Sequence, residues 1–298
     1  MPNPLRALSF AALVVLAARP AAAGPGVLLL AHGGRAEWNA RVTELAAQVD
    51  REMPTETAFG MATRANIQAA VDRLAARGVT EIVAVPLFVS SWSSVITSSE
   101  YLLGLRADAP AALARYAKMD YGQQGAHGAD ADGTVPIKAL VPVRMTPALN
   151  DHPIVADILA RRARAISRSP TQEAVVIVAH GPNEEDDNRR WLTDMGSLTK
   201  RVAALEPFAA VECLTLRDDA PRPVRDQATA DLRALVERHT RDGGRVLIVP
   251  LLISFGGIER GLYERLDGLS YTMAEAALMP DSRLVAWVLA VARAGTPQ

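Results

Sequence analysis

One strand-and-turn unit is written twice in this chain. Residues 26–35 read GVLLLAHGGR and residues 174–181 read AVVIVAHG. Each is a run of leucine or β-branched residues that ends in Ala-His-Gly and opens onto a polar, then amphipathic, segment, the pattern of a buried strand, a tight turn and a helix. After the first run Trp38, Val42, Leu45 and Val49 form one helical stripe, and after the second Trp191, Met195, Leu198 and Val202 form another. A continuous apolar strand followed by a helix can bury itself only in a parallel sheet covered on both faces. With strands and helices alternating in each copy, the chain is read as holding a parallel sheet in each half.

A second pair of landmarks repeats in the same order. EIVAVPLFVSS at 81–91 and RVLIVPLLISF at 245–255 each follow a helical stretch that a glycine closes. The spacing from His32 to Pro86 is shorter than that from His180 to Pro250, so the second copy carries an insertion around DDAPRPVRDQ. The expected architecture is α/β, with two similar lobes facing across a cleft, each a parallel sheet flanked by helices. The boundaries read as 24–135 for the first lobe, 136–173 for a linker and helix, and 174–298 for the second lobe. Within the linker, NDHPIVADILARRARAI is read as a helix with Asp151 as N-cap and Pro153 at an early helical position. The segment 121–133, YGQQGAHGADADG, reads as an exposed loop, and its DADG fragment lacks the further ligands of a calcium loop.

Composition excludes several classes. The chain is 298 residues long, 49% hydrophobic and 22% charged, which fits a globular protein and not a disordered one. A net charge of -1 argues against a generic nucleic-acid binder, which needs a basic excess. The single cysteine, Cys213, excludes an internal disulfide framework and a multi-cysteine metal site, and its apolar surroundings read as core. At the start, MPNPLR precedes the apolar run ALSFAALVVLAA and the small residues AAA before Gly24. Residues 1–23 are therefore expected to be a signal peptide, and the protein periplasmic or secreted, with no stable membrane span after cleavage.

Ligands of open parallel sheets bind beyond the carboxyl ends of the strands. His32 and His180 occupy that position in both copies, and either imidazole can bind a divalent metal or take a proton near neutral pH. Past the repeated Pro-Leu strands stand Trp92, whose indole face can stack on a flat ligand, and Gly256 with Gly257, which permit close approach.

This order of strand, His-Gly, polar helix start and Val-Pro-Leu strand, duplicated in one chain, resembles the class II tetrapyrrole chelatases of the CbiX/SirB type, the sirohydrochlorin cobalt- or ferrochelatases. The segment MTPALNDHPIVADILARRA is similar to the linker helix of their long, two-copy members. The resemblance implies a chelatase-like fold, a cleft for a planar tetrapyrrole such as sirohydrochlorin, Co2+ or Fe2+ as the divalent metal, and no nucleotide. It also places metal binding and acceptance of pyrrole protons on His32 and His180. Two positions depart from the family pattern. Where a second histidine is expected, this chain has Ser94 and Ile258; where a carboxylate is expected, it has Met61 and Arg217. Glu56, Glu212 and Glu259 are the neighbouring carboxylates, and Glu259 joins the two histidines as a candidate metal ligand.

Two ways of using one histidine per lobe follow. The pair can share a metal or ligate one already in a tetrapyrrole, or the fold is kept for binding and insertion is lost, which makes the protein a noncatalytic metal or haem carrier. A histidine phosphatase is a further alternative, since AHGGR echoes an Arg-His-Gly signature, but Ala31 stands in the place of its arginine. His127, His152 and His239 are weaker candidates, and the acids of NEEDDN at 183–188 read as a solvated helix start.

Overall fold

The computed structural model describes residues 24–119, 133–241 and 243–294. The signal-peptide segment 1–23, His127 and almost all of the 121–133 loop fall outside these residues.

The first sheet is built from β1 (Pro25–Ala31), β2 (Thr55–Phe59), β3 (Glu81–Pro86) and β4 (Val143–Met145), in the order β2-β1-β3-β4, all parallel. The second repeats it with β5 (Glu173–Ala179), β6 (Ala210–Thr215), β7 (Arg245–Leu251) and β8 (Thr272–Met273), in the order β6-β5-β7-β8. The repeated strands β1 and β5 are central in their sheets, and the Ala-His-Gly turns therefore leave the middle of each carboxyl edge.

Alternation along the strands sorts the helices into layers. Leu28 and Leu30 of β1 pack outward on α2 (Arg64–Ala76) and α3 (Ser94–Leu102), beside the short α4 (Leu113–Tyr116). Val176 and Val178 of β5 pack outward on α7 (Arg222–Thr240) and α8 (Ile258–Arg265). The opposite faces, Val27 and Leu29 on one sheet and Val175 and Ile177 on the other, belong to one continuous core. That core also takes in α1 (Ala36–Asp50), α5 (Pro153–Ile166), α6 (Glu185–Leu205) and α9 (Arg283–Arg293). The stripes read from the sequence are the buried ones: Trp38, Val42, Leu45 and Val49 on α1, and Trp191, Met195, Leu198 and Val202 on α6.

The lobes exchange helices. Helix α5 follows the first sheet in the chain but packs on β7 of the second, and α9 follows the second sheet but packs on β3 of the first. Strand β4 lies in the segment 136–173 read as linker, and α9 lies in 174–298, so boundaries along the chain do not coincide with boundaries in space. The exchange gives the lobes a common apolar interior, each fully buried leucine or isoleucine in it contributing about 1.5–3 kcal/mol. The N-cap of α5 is His152, whose Nδ1 accepts from the Ile154 amide at 3.2 Å, in place of the expected Asp151, with Pro153 at the first helical position. No helix among the described residues is long and apolar enough to cross a membrane.

Candidate functional site

Both Ala-His-Gly turns have the same local construction. Gly33 and Gly181 adopt φ of 79° and 75°, the left-handed region that glycine enters at little cost. The turn brings the carbonyl of each glycine onto the preceding imidazole. His32 Nδ1 lies 2.6 Å from Gly33 O, and His180 Nδ1 lies 2.7 Å from Gly181 O. A carbonyl only accepts, so Nδ1 carries the proton and, in the neutral ring, Nε2 carries the lone pair. A backbone carbonyl that fixes the tautomer in this way is the usual support of a ligating histidine. Ala31, the position of the arginine in the phosphatase pattern, is buried in the central core.

The surroundings of the two rings differ. His32 is exposed. His180 is 29% exposed at its side chain, and its Nε2 lies 3.5 Å from Asp219 Oδ2. Asp219 belongs to the loop after β6. There Arg217, at φ 55°, donates its amide to His180 O at 2.8 Å and turns the chain back over the histidine. Arg217 is 6% exposed, and its guanidinium is held by Glu185 at 2.8 Å and by the carbonyl of Asn183 at 2.6 Å. Asp218 accepts from Arg265 of α8 at 2.5 Å. The loop after β6 thus ties the turn after β5 and the start of α6 to the carboxyl end of α8. Strand registers pair Ala31 with Phe59 and Ala179 with Thr215, so Met61 and Thr63 occupy in the first lobe the places of Arg217 and Asp219.

The nearby carboxylates are engaged elsewhere. Glu56 and Glu212 occupy matching positions on β2 and β6, opposite Leu28 and Val176. Glu56 is bound by Arg73 and Arg77, and Glu212 by Arg238 and His239. Burial would raise the Glu212 carboxyl, but hydrogen bonds from Arg238 and His239 hold it below the usual range. Glu259 Oε2 accepts from the amides of Gly256 at 3.0 Å and Gly257 at 2.8 Å. Burial opposes its ionisation, yet these amides keep its carboxyl below the usual value. It works as the cap of α8, with Gly257 at φ 142°. Among the described residues no group of three or more histidines, cysteines, aspartates and glutamates is placed to hold a metal ion. Cys213 is partly buried against the central core, and this burial pushes its thiol up to about 11.

The residues expected to contact a flat ligand join the lobes. Trp92 is 36% exposed; its Nε1 donates to Asp194 Oδ2 of α6 at 3.1 Å, and Arg190 stacks 4.6 Å from its ring centroid. Burial raises the Asp194 carboxyl, against the lowering hydrogen bond from Trp92. Gly256 approaches the opposite lobe in the equivalent way, since a Cβ there would stand 3.2 Å from Trp38 Cδ1. Beside it Arg41 of α1 donates to Ser254 Oγ at 3.2 Å. Ser94 is turned away from the seam, its Oγ 2.6 Å from the hydroxyl of the buried Tyr116. The loops after β3 and β7 therefore reach across to α6 and α1 of the other lobe.

Residues 26–166 match the CbiX family model. The match bears out the class II chelatase resemblance, and the solved structures extend the fold to 91% of the chain. The structure of CbiX, the terminal enzyme for biosynthesis of siroheme in denitrifying bacteria, is 18% identical with a TM-score of 0.56, covering 91% of this chain and 100% of that one. The sirohydrochlorin chelatase SirB from Bacillus subtilis subspecies spizizenii, in complex with cobalt, is 14% identical with a TM-score of 0.54, covering 91% and 94%. A multi-domain protein of Deinococcus radiodurans with structural similarity to chelatases is 19% identical with a TM-score of 0.53. There 91% of this chain spans 55% of the other. No curated protein matches.

Proposed function

We propose that this protein is an exported, chelatase-like binder of a divalent metal, Co2+ or Fe2+, and of a tetrapyrrole such as sirohydrochlorin. The observation that carries this reading is the repeated tie of His32 and His180 Nδ1 to the following glycine carbonyl, at 2.6 and 2.7 Å, on the carboxyl edges of both sheets. Insertion of a divalent metal displaces two pyrrole N-H protons, and neutral imidazoles are suited to accept them. A carrier without turnover is the second reading, favoured because no three-ligand set exists among the described residues.

The test mixes purified protein with sirohydrochlorin and Co2+ and follows the absorption spectrum. Metal-dependent conversion of the pigment supports insertion; a shifted spectrum without conversion supports the carrier. His32→Ala or His180→Ala weakens metal or pigment binding at least tenfold on this reading, and unchanged affinity in both variants would sink it. Export is tested by N-terminal sequencing of protein recovered from the periplasm, with a start near Gly24 expected.

A further inference from the structure

We infer that Arg217 is a positioning residue for His180: it clamps the turn that decides which nitrogen of this imidazole carries the lone pair. The inference rests on the reading above, in which His180 acts on metal or pigment, and adds the residue that prepares it. The turn runs from His180 at the end of β5 to Glu185 at the start of α6, and Arg217 holds it at three points. Its amide donates to His180 O at 2.8 Å, Nη2 donates to Asn183 O at 2.6 Å, and Nη1 donates to Glu185 Oε2 at 2.8 Å. Strand β6 adds a floor beneath Gly181. A Cβ on that glycine would stand 2.6 Å from Thr215 Cβ, and the Thr215 hydroxyl is fixed by Asn188 Oδ1 at 2.7 Å. Gly181 supplies the carbonyl that accepts from His180 Nδ1, so whatever fixes its peptide plane fixes the tautomer of the ring.

Burying a guanidinium costs stability, and so does a φ of 55° at a residue other than glycine. Both strains fall on the residue that anchors the turn, which is where strain of functional origin collects. Arg217 also stands where the family pattern has a carboxylate, so the clamp belongs to this chain's own sequence. The first lobe is built differently. Met61 stands at the position of Arg217 and packs on the outer apolar cluster, and Phe59 stands at that of Thr215. There Gly34 donates its amide to Asn39 Oδ1 at 2.8 Å; the second lobe has Pro182 at that place, with no amide to give. The first turn is thus tied through an exposed hydrogen bond to its own helix, the second through a buried arginine from the loop of the neighbouring strand. His180 is the preorganised member of the pair.

The experiment labels the full-length protein with 15N-histidine and records the ring nitrogens at about pH 8.5, above the usual histidine range. The variants His32→Ala and His180→Ala assign the signals. In the wild type His180 is expected to show one tautomer, with its proton on Nδ1. Arg217→Met, which copies the first lobe, is expected to bring His180 to a mixture of tautomers and to lower sirohydrochlorin affinity at least fivefold. Circular dichroism checks that the variant is folded. Glu185→Gln, an exposed substitution that loosens one of the three ties, is expected to move the His180 signals in the same direction by less, and serves where Arg217→Met does not fold. Unchanged His180 signals in these variants, or equal changes at His32 and His180, overturn the inference. Should the His180 signals move while His32→Ala and His180→Ala both bind sirohydrochlorin like the wild type, the positioning role stands and the functional reading falls.

Discussion

Trp191 Nε1 donates to the carbonyl of Trp92 at 2.7 Å, across the boundary between the two lobes. The Trp92 ring answers by donating to Asp194, three residues farther along the same helix, and by carrying Arg190 on its face. Trp92 is thus a fastener between lobes, with one face already used. A hydrogen bond and a cation-π contact of this kind are together worth about 2 kcal/mol. Trp92→Ala is therefore expected to lower the thermal midpoint by a few degrees in calorimetry. Asp194→Ala should reproduce part of the loss, and the double variant should be less destabilised than the sum of the two.

Gly181 and Gly33 occupy equivalent turns but unequal space. A Cβ on Gly181 would stand 2.6 Å from Thr215 Cβ, whereas one on Gly33 meets nothing nearer than Phe59 Cβ at 3.5 Å. Thr215 is buried and held by Asn188 Oδ1 at 2.7 Å, so it has little room to yield. Gly33→Ala should cost about 1–2 kcal/mol for the left-handed backbone alone. Gly181→Ala adds overpacking and should cost about 2–4 kcal/mol. Comparable losses for both in urea unfolding would contradict this account of the second turn.

The strength of the repeat explains why much of the fold was legible. Long apolar strands and 3.6-residue stripes are local signals, and they located β1, β5, α1 and α6 correctly. Strands β4 and β8, three and two residues long, carry no periodicity and are made strands only by the neighbours they pair with. The exchange of α5 and α9 is equally non-local: an amphipathic helix announces that it has an apolar face but not which sheet will cover it. At the site, the histidines were visible because the motif recurs. Asp219 was not, although it follows the second strand of its lobe, because its meeting with His180 depends on the positive φ of Arg217. Ser94, which stands where a second histidine was expected, bonds the Tyr116 hydroxyl, and Glu259, named as a candidate ligand, accepts the two glycine amides at the start of α8.

Glu173 gives a pH dependence with a definite sign. Its carboxylate is fully buried at the start of β5, where it accepts from Ser167 Oγ and the Arg168 amide and pairs with Arg245. Burial would raise this carboxyl, but the hydrogen bonds and Arg245 outweigh it and hold the group below the usual glutamate value. A depressed carboxylate stabilises the fold above its unfolded value, near pH 4.3, and loses that contribution as pH falls towards its folded value. Glu173→Gln should cost about 1–3 kcal/mol at pH 7. The gap between wild type and variant should narrow below about pH 4; a gap that widens on acidification would refute the assignment.

Glu259 separates capping from metal chemistry. One oxygen receives the amides of both Gly256 and Gly257, and the negative charge lies at the positive end of α8. Glu259→Gln keeps an acceptor oxygen but loses the charge, and should cost about 0.5–1 kcal/mol; Glu259→Ala also leaves the two amides without that acceptor and should cost about 1–2 kcal/mol. Neither variant is expected to change Co2+ affinity by more than threefold, because the carboxylate is spent on the backbone. A tenfold loss of Co2+ affinity in Glu259→Gln, with the thermal midpoint unchanged, would return this residue to the metal site and remove it from the helix cap.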